Sequence, residues 1–133
     1  MKVIGALVAG LDAGMIYDTF PLMGNSFVPD DYVSSKYTNH IQNILENPAA
    51  VQFNHRIAGI SCVCLAAYLY KKCRNISLLK RPATAVLHSS LLQMGLGICT
   101  VLYGVPVSMA SAHQINSMAM LTSVLWLLKV LCK

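Results

Sequence analysis

The chain has 133 residues, a single-domain length, with 56% apolar residues, 11% charged residues and a net charge of +5. Soluble globular proteins carry about 25% charged residues; a soluble protein this small would need far more polar surface, so the composition is that of a membrane protein. The basic residues sit beside apolar segments rather than along an extended stripe, which argues against nucleic acid as a partner and for a topological use of charge.

The first segment, Val3–Tyr17, is apolar except for Asp12. Its residues would give only ~22 Å of helix against a hydrocarbon core of ~30 Å, so it reads as the second part of a longer span. No transit or signal pattern precedes it, and any targeting sequence is expected to be missing from this chain. A polar loop over 18–50 follows, with Pro21, Pro29 and Pro48 and the acidic Asp18, Asp30, Asp31 and Glu46. Within it, Ile41–Glu46 suits a short surface helix. The second segment, about 51–70, is long enough to span, and a basic stretch over 71–81 ends it. Pro82 suits the first turn of the next helix. The third segment runs over about 83–105 and stops near Gly104 and Pro106; the fourth runs over about 109–131. The expected fold is all-α, a polytopic membrane four-helix bundle whose first span is truncated.

Charge orients these segments. Five of the ten Lys and Arg residues lie in 71–81, whereas the 18–50 loop holds only Lys36. Lys2, Lys129 and Lys133 fall on the same side as the basic stretch in a four-span arrangement. By the positive-inside rule both termini and the 71–81 stretch face the cytoplasm or matrix, and the acidic loop faces outward.

Segments two and four then run in the same direction, and His55 and His113 are each the fifth residue of their segment. Both lie ~6 Å from the outer end of the helix. An imidazole in an apolar span marks a functional site by default, and haem iron is the ligand that best fits a pair at matching depth. Gly59 and Cys62 follow His55, and Ser117 follows His113, on the same helical faces, where small residues leave room for a macrocycle. Arg56 and Gln114 could hold the propionates. The Gly5/Gly10/Gly14 series and Gly95-x-Gly97 suit close helix contacts.

Other readings stand beside this one. Each histidine could simply satisfy an interhelical hydrogen bond. A zinc or copper site would want further ligands, and none is placed at that depth. Asp12 could relay protons, pair with Arg56 or be hydrated. His88 lies near the inner surface and His40 in the outer loop, away from the pair. Cys62 and Cys64 point to nearly opposite helical faces, and the odd cysteine count implies no disulfide framework. Met118 and Met120 suit the bundle interior, while Trp126, Tyr68 and Tyr70 suit the interface. No phosphate loop, Ser/His/Asp triad or acid–base carboxylate pair is present.

Several motifs taken in order resemble haem A synthase of the mitochondrial and proteobacterial type: the run from Gly5 to Gly14, then Phe20-Pro21-Leu22-Met23-Gly24 and Glu46-Asn47-Pro48. Val51-Gln52-Phe53-Asn54-His55-Arg56, Gln93-Met94-Gly95-Leu96-Gly97, Ala112-His113-Gln114 and Leu125-Trp126 complete the set. The resemblance covers essentially the whole chain. It implies the second, haem-b-binding half of an eight-span oxidoreductase, with His55 and His113 as axial iron ligands and Arg56 and Gln114 beside the cofactor. That family oxidises a methyl group of haem O to the formyl group of haem A for cytochrome c oxidase assembly. The substrate haem is associated with the other, N-terminal half, which is absent here and supplies an essential acidic residue, so no catalytic residue is assigned in this chain. Membrane lipid, haem O synthase, an electron donor and further copies of the protein are the implied partners. The implied location is the mitochondrial inner membrane, multi-pass, or the plasma membrane of a bacterium. The alternative is a non-catalytic bis-histidine membrane cytochrome or a haem-handling protein.

Overall fold

The computed structural model describes residues 2–132. Among these the secondary structure is helical, apart from one isolated bridge between Met23 and Ser26. Five α-helices follow in order: α1 (Lys2–Gly10), α2 (His40–Glu46), α3 (Pro48–Cys73), α4 (Ser77–Leu102) and α5 (Val107–Leu131).

The first apolar segment is helical over only part of its expected length. After Gly10 the chain passes through Asp12 in the left-handed region, φ 49°, into a 3-10 turn at Ala13–Met15. Hydropathy does not register this break. Gly and Asp tolerate conformations that end a helix whatever the polarity around them.

The short helix expected at 41–46 is present as α2, and its start follows capping chemistry. Asn39 accepts a bond from the backbone N–H of Gln42 at 2.8 Å, and the Gln42 side chain accepts one from the N–H of Thr38 at 3.1 Å. That reciprocal pair satisfies two amides near the helix start. Asn47 then caps α3, its Oδ1 accepting from the N–H of Ala49 at 3.1 Å, while Pro48 takes the first helical position, where it forfeits no bond. Lys71 and Lys72 lie in the last turn of α3, where positive charge opposes the helix dipole favourably.

The helix of the third apolar segment, α4, begins at Ser77, earlier than Pro82 suggests, and holds that proline inside its length. Pro82 is fully buried. So near the helix start it forfeits a single backbone bond, the one toward the carbonyl of Leu78. α4 closes through Gly104 and Val105, at φ 70° and 57°, with the N–H of Val105 donating to the carbonyl of Thr100 at 2.8 Å. Pro106 then precedes α5.

The chain divides into two compact units, and the divisions fall inside α3, inside α4 and at the start of α5. The first runs to Gly59 and takes in Ile98–Pro106. Its buried residues include Ala13, Met23, Ala49, Ala50 and Val51, with Asn43, Asn47 and Gln52 among them. The second takes in Ile60–Gly97 and the chain from Val107 onward. Ala66, Cys73, Leu79, Ala83, Val86 and Leu127 form its core, flanked by Leu69, Tyr70, Leu87, Val124 and Val130.

α4 and α5 are long and apolar enough to cross a membrane. Their exposed side chains include Leu91, Leu92, Ile115, Leu121, Leu125, Trp126 and Leu128. So large an apolar surface is costly in water, and lipid is the medium that suits it. α3 matches α4 in length, but its first half carries Gln52, Asn54, His55 and Arg56.

Candidate functional site

Each expected haem-ligating histidine lies in the early part of its helix. His55 is seven residues beyond Pro48 in α3, and His113 is six beyond Val107 in α5. The near-equal register expected from the segment boundaries is therefore kept within one residue. His55 belongs to the first unit and His113 to the second.

In the first unit, α3 presents its polar side chains to the segment that follows α1. Gln52, 3% exposed, donates through Nε2 to the carbonyl of Tyr17 at 2.9 Å. Arg56 donates through Nη1 to the carbonyls of Thr19, at 2.8 Å, and Leu22, at 3.3 Å, and through Nη2 to that of Tyr17, at 3.1 Å. Three of its five N–H groups thus hold loop backbone, and its guanidinium also lies 6.0 Å from the Phe20 ring centroid. His55 rests on α1: a Cβ at Gly5 would lie 3.5 Å from its Cε1. Asp12 is exposed.

The outer loop is built on asparagines and aromatics. Asn47 Nδ2 donates to the carbonyl of Asp31 at 2.8 Å and to Asn43 Oδ1 at 3.1 Å, while Asn43 Nδ2 donates to the carbonyl of Tyr32 at 2.8 Å. Phe53 meets Tyr32 and Phe27 edge-to-face, at centroid distances of 5.3 and 6.2 Å. Tyr17, beyond the helices, donates to Asp31 at 2.7 Å. That bond, helped by desolvation and by the charges of Asp31 and Asp30, pushes its phenol up to about 12.

In the second unit, His113 meets α4. A Cβ at Gly97 would lie 3.0 Å from its Cε1, so only glycine lets the ring approach this closely. One turn earlier, the amide nitrogen of Gln93 lies 3.0 Å from Nε2 and 3.1 Å from Nδ1 of His113. Gln93 Oε1 accepts from Asn116 Nδ2 at 2.8 Å, and the same nitrogen donates to the carbonyl of Ser89 at 2.9 Å.

Sequence reasoning did not assign Gln93 or Asn116 to the site. The readable signal was spacing: Ser89, Gln93 and Gly97 recur every four residues on one helical face. Of the other expected positions, Gln114 is exposed, and Ser117 turns its hydroxyl back to the carbonyl of Gln114 at 2.6 Å. His40 and His88 are exposed. Of the glycines expected to make close helix contacts, Gly5 and Gly97 face histidines and Gly14 faces Val105, whereas a Cβ at Gly10 or Gly95 would meet open space. Among the described residues no group of three or more His, Cys, Asp or Glu side chains is placed to hold a metal ion, and all five cysteines are free.

Residues 2–125 match the model of the COX15-CtaA family, described as cytochrome oxidase assembly protein. The chain is 45% identical over 130 residues to the protein named Heme A synthase COX15 of Homo sapiens, covering 96% of this chain and 31% of that protein. It is 44% identical to the Bos taurus protein of the same name, with the same coverage. Against the Heme A synthase of Rickettsia felis the identity is 38% over 131 residues, covering 92% of this chain and 36% of that protein. The chain therefore spans about a third of the length of the curated relatives it matches. No solved structure matches it.

Proposed function

The chain belongs to the COX15-CtaA family of cytochrome oxidase assembly proteins, and we propose that it forms the haem-b-binding portion of a haem A synthase. The observation that carries this is its similarity to proteins named heme A synthase along nearly its whole length. The activity proposed for the whole protein is oxidation of the haem O methyl group to the formyl group of haem A, for cytochrome oxidase assembly. The proposed location is the mitochondrial inner membrane.

The residues present fit a b-type haem. Two imidazoles are the donor set of a six-coordinate low-spin iron. Each ring lies against a glycine, Gly5 for His55 and Gly97 for His113, so each is located by close backbone approach within its own unit. His55 and His113 are the proposed axial ligands. Arg56 is proposed to anchor the segment over 17–22 beside His55, and its remaining N–H groups, with Gln114, are proposed to meet the propionates. When bound, the haem supplies one-electron transfer, and ligand basicity and burial tune it.

The test is the optical spectrum of the protein purified from membranes. A low-spin b-type signal lost in both His55→Ala and His113→Ala supports the assignment, and unchanged haem content in both overturns it. Conversion of haem O to haem A in cells that depend on the full-length protein tests the activity.

A further inference from the structure

Charge is divided unequally between the two units. All five Asp and Glu residues lie at or before Glu46, in the first unit. The second holds seven of the ten Lys and Arg residues: five over 71–81, with Lys129 and Lys133. It has no carboxylate side chain to pair with them. Packing draws the basic turn and the end of α5 together, because Cys73 and Leu79, which flank the turn between α3 and α4, share a core with Leu127 and Val130. Lys129, in the last turn of α5, thus lies at the same end of the unit as the cations over 71–81. Those five and Lys129 are all exposed.

Cations crowded in this way repel one another unless anions come from outside the unit. The neighbouring side chains select the kind of anion. Tyr68 and Trp126, both exposed, precede Lys72 and Lys129 by one helical turn, and Lys72 Nζ lies 5.6 Å from the Tyr68 ring centroid. Tyr and Trp favour the headgroup level of a bilayer, so α3 and α5 each set a cation at the depth of lipid phosphate. Ile76 and Leu78, 50% and 78% exposed, interrupt the basic run. A free anion or a nucleic-acid backbone gives such side chains nothing apolar to bury against, whereas the boundary between headgroups and acyl chains does. Arg74 and Arg81 carry planar donor forks that match phosphate oxygens.

We propose that this basic end of the second unit is a binding site for anionic phospholipid, with Arg74 and Arg81 on the headgroup phosphate and Lys72 steadied beside it by Tyr68. This is a different property from the sidedness that charge confers during insertion. Orientation alone leaves the finished protein no preference between headgroups; a binding site does. Each Lys or Arg beside an anionic membrane surface strengthens attachment by about fivefold. The haem reading is not a premise of the proposal, and haem content should not change with the lipid.

Native mass spectrometry of the full chain in mild detergent tests it, with phosphatidylglycerol and phosphatidylcholine of matched acyl chains as probes. Phosphatidylglycerol should be retained well above phosphatidylcholine. Arg74→Gln combined with Arg81→Gln should weaken retention of phosphatidylglycerol by about 25-fold, two charges at fivefold each, and leave phosphatidylcholine unchanged. Lys36→Gln, which removes a cation of the first unit, should leave both unchanged. Equal retention of the two lipids by the unaltered chain overturns the proposal, as does undiminished phosphatidylglycerol in the double variant or an equal loss in Lys36→Gln. Displacement of phosphatidylglycerol by an equal concentration of inorganic phosphate overturns it in favour of a site for the free anion.

Discussion

At the scale of single residues, the absence of a side chain decides how closely a histidine can be held. Gly97 and Gly95 lie two apart on α4, yet a Cβ at Gly97 would lie 3.0 Å from the His113 ring while one at Gly95 would meet nothing. Replacing a helical glycine by alanine favours the helix by about 0.8–1 kcal/mol, whereas overpacking costs about 1–3 kcal/mol. Gly95→Ala should therefore raise the thermal midpoint slightly and leave haem content unchanged. Gly97→Ala should displace the ring and weaken haem retention by about tenfold, the lower half of that overpacking range. Haem-to-protein ratios after dilution in detergent measure both; equal retention in the two variants would remove Gly97 from the site. His55 and His113 stood out as candidates in the sequence because a polar ring is conspicuous in an apolar run. Gln93 and Asn116 were not assigned, because their roles depend on which residues of another helix they face.

At the scale of elements, helix ends were less legible than helix bodies. The segments about 51–70 and 109–131 became α3 and α5 with modest extensions. α1 and α4 differed more, each for a local reason: a left-handed Asp12 in one, a proline tolerated near the start of the other. The tie between α3 and the loop that follows α1 was also invisible, since Arg56 bonds to carbonyls that every residue carries. Arg56→Lys keeps the charge but not the spread of planar donors. With hydrogen bonds to charged groups contributing about 1.5–3 kcal/mol each, the substitution should loosen the segment over 17–22 by about 2–3 kcal/mol. Limited proteolysis should then cut this segment faster, while an unchanged rate would show that the three carbonyl bonds do not hold it.

At the scale of the whole molecule, the family and the helical class were legible, and the expected likeness to part of a longer protein is met by relatives of which the chain spans about a third. Composition announced a membrane chain, and α4 and α5 have the length and apolarity to cross one. The charge pattern predicts sidedness, with the loop over 18–50 outward and the basic stretch over 71–81 and the C-terminal end inward. Ser35 and Cys132, both exposed, report on this. In sealed membranes with the outer-loop side exposed, an impermeant maleimide should label Ser35→Cys directly and Cys132 only after permeabilisation. The reverse pattern would invert the topology.

The Arg56 contacts also bear on which substitutions the chain can absorb. Arg56 reads Tyr17, Thr19 and Leu22 through their backbone oxygens, and Leu22 is itself exposed. Side-chain identity at position 22 can drift with little penalty, because any residue there presents the same carbonyl. Position 56 has no such freedom: no other side chain spreads its donors over a rigid planar fork. Mutational tolerance is thus one-sided across this contact, and damaging variants should accumulate on α3 while the loop it grips diversifies.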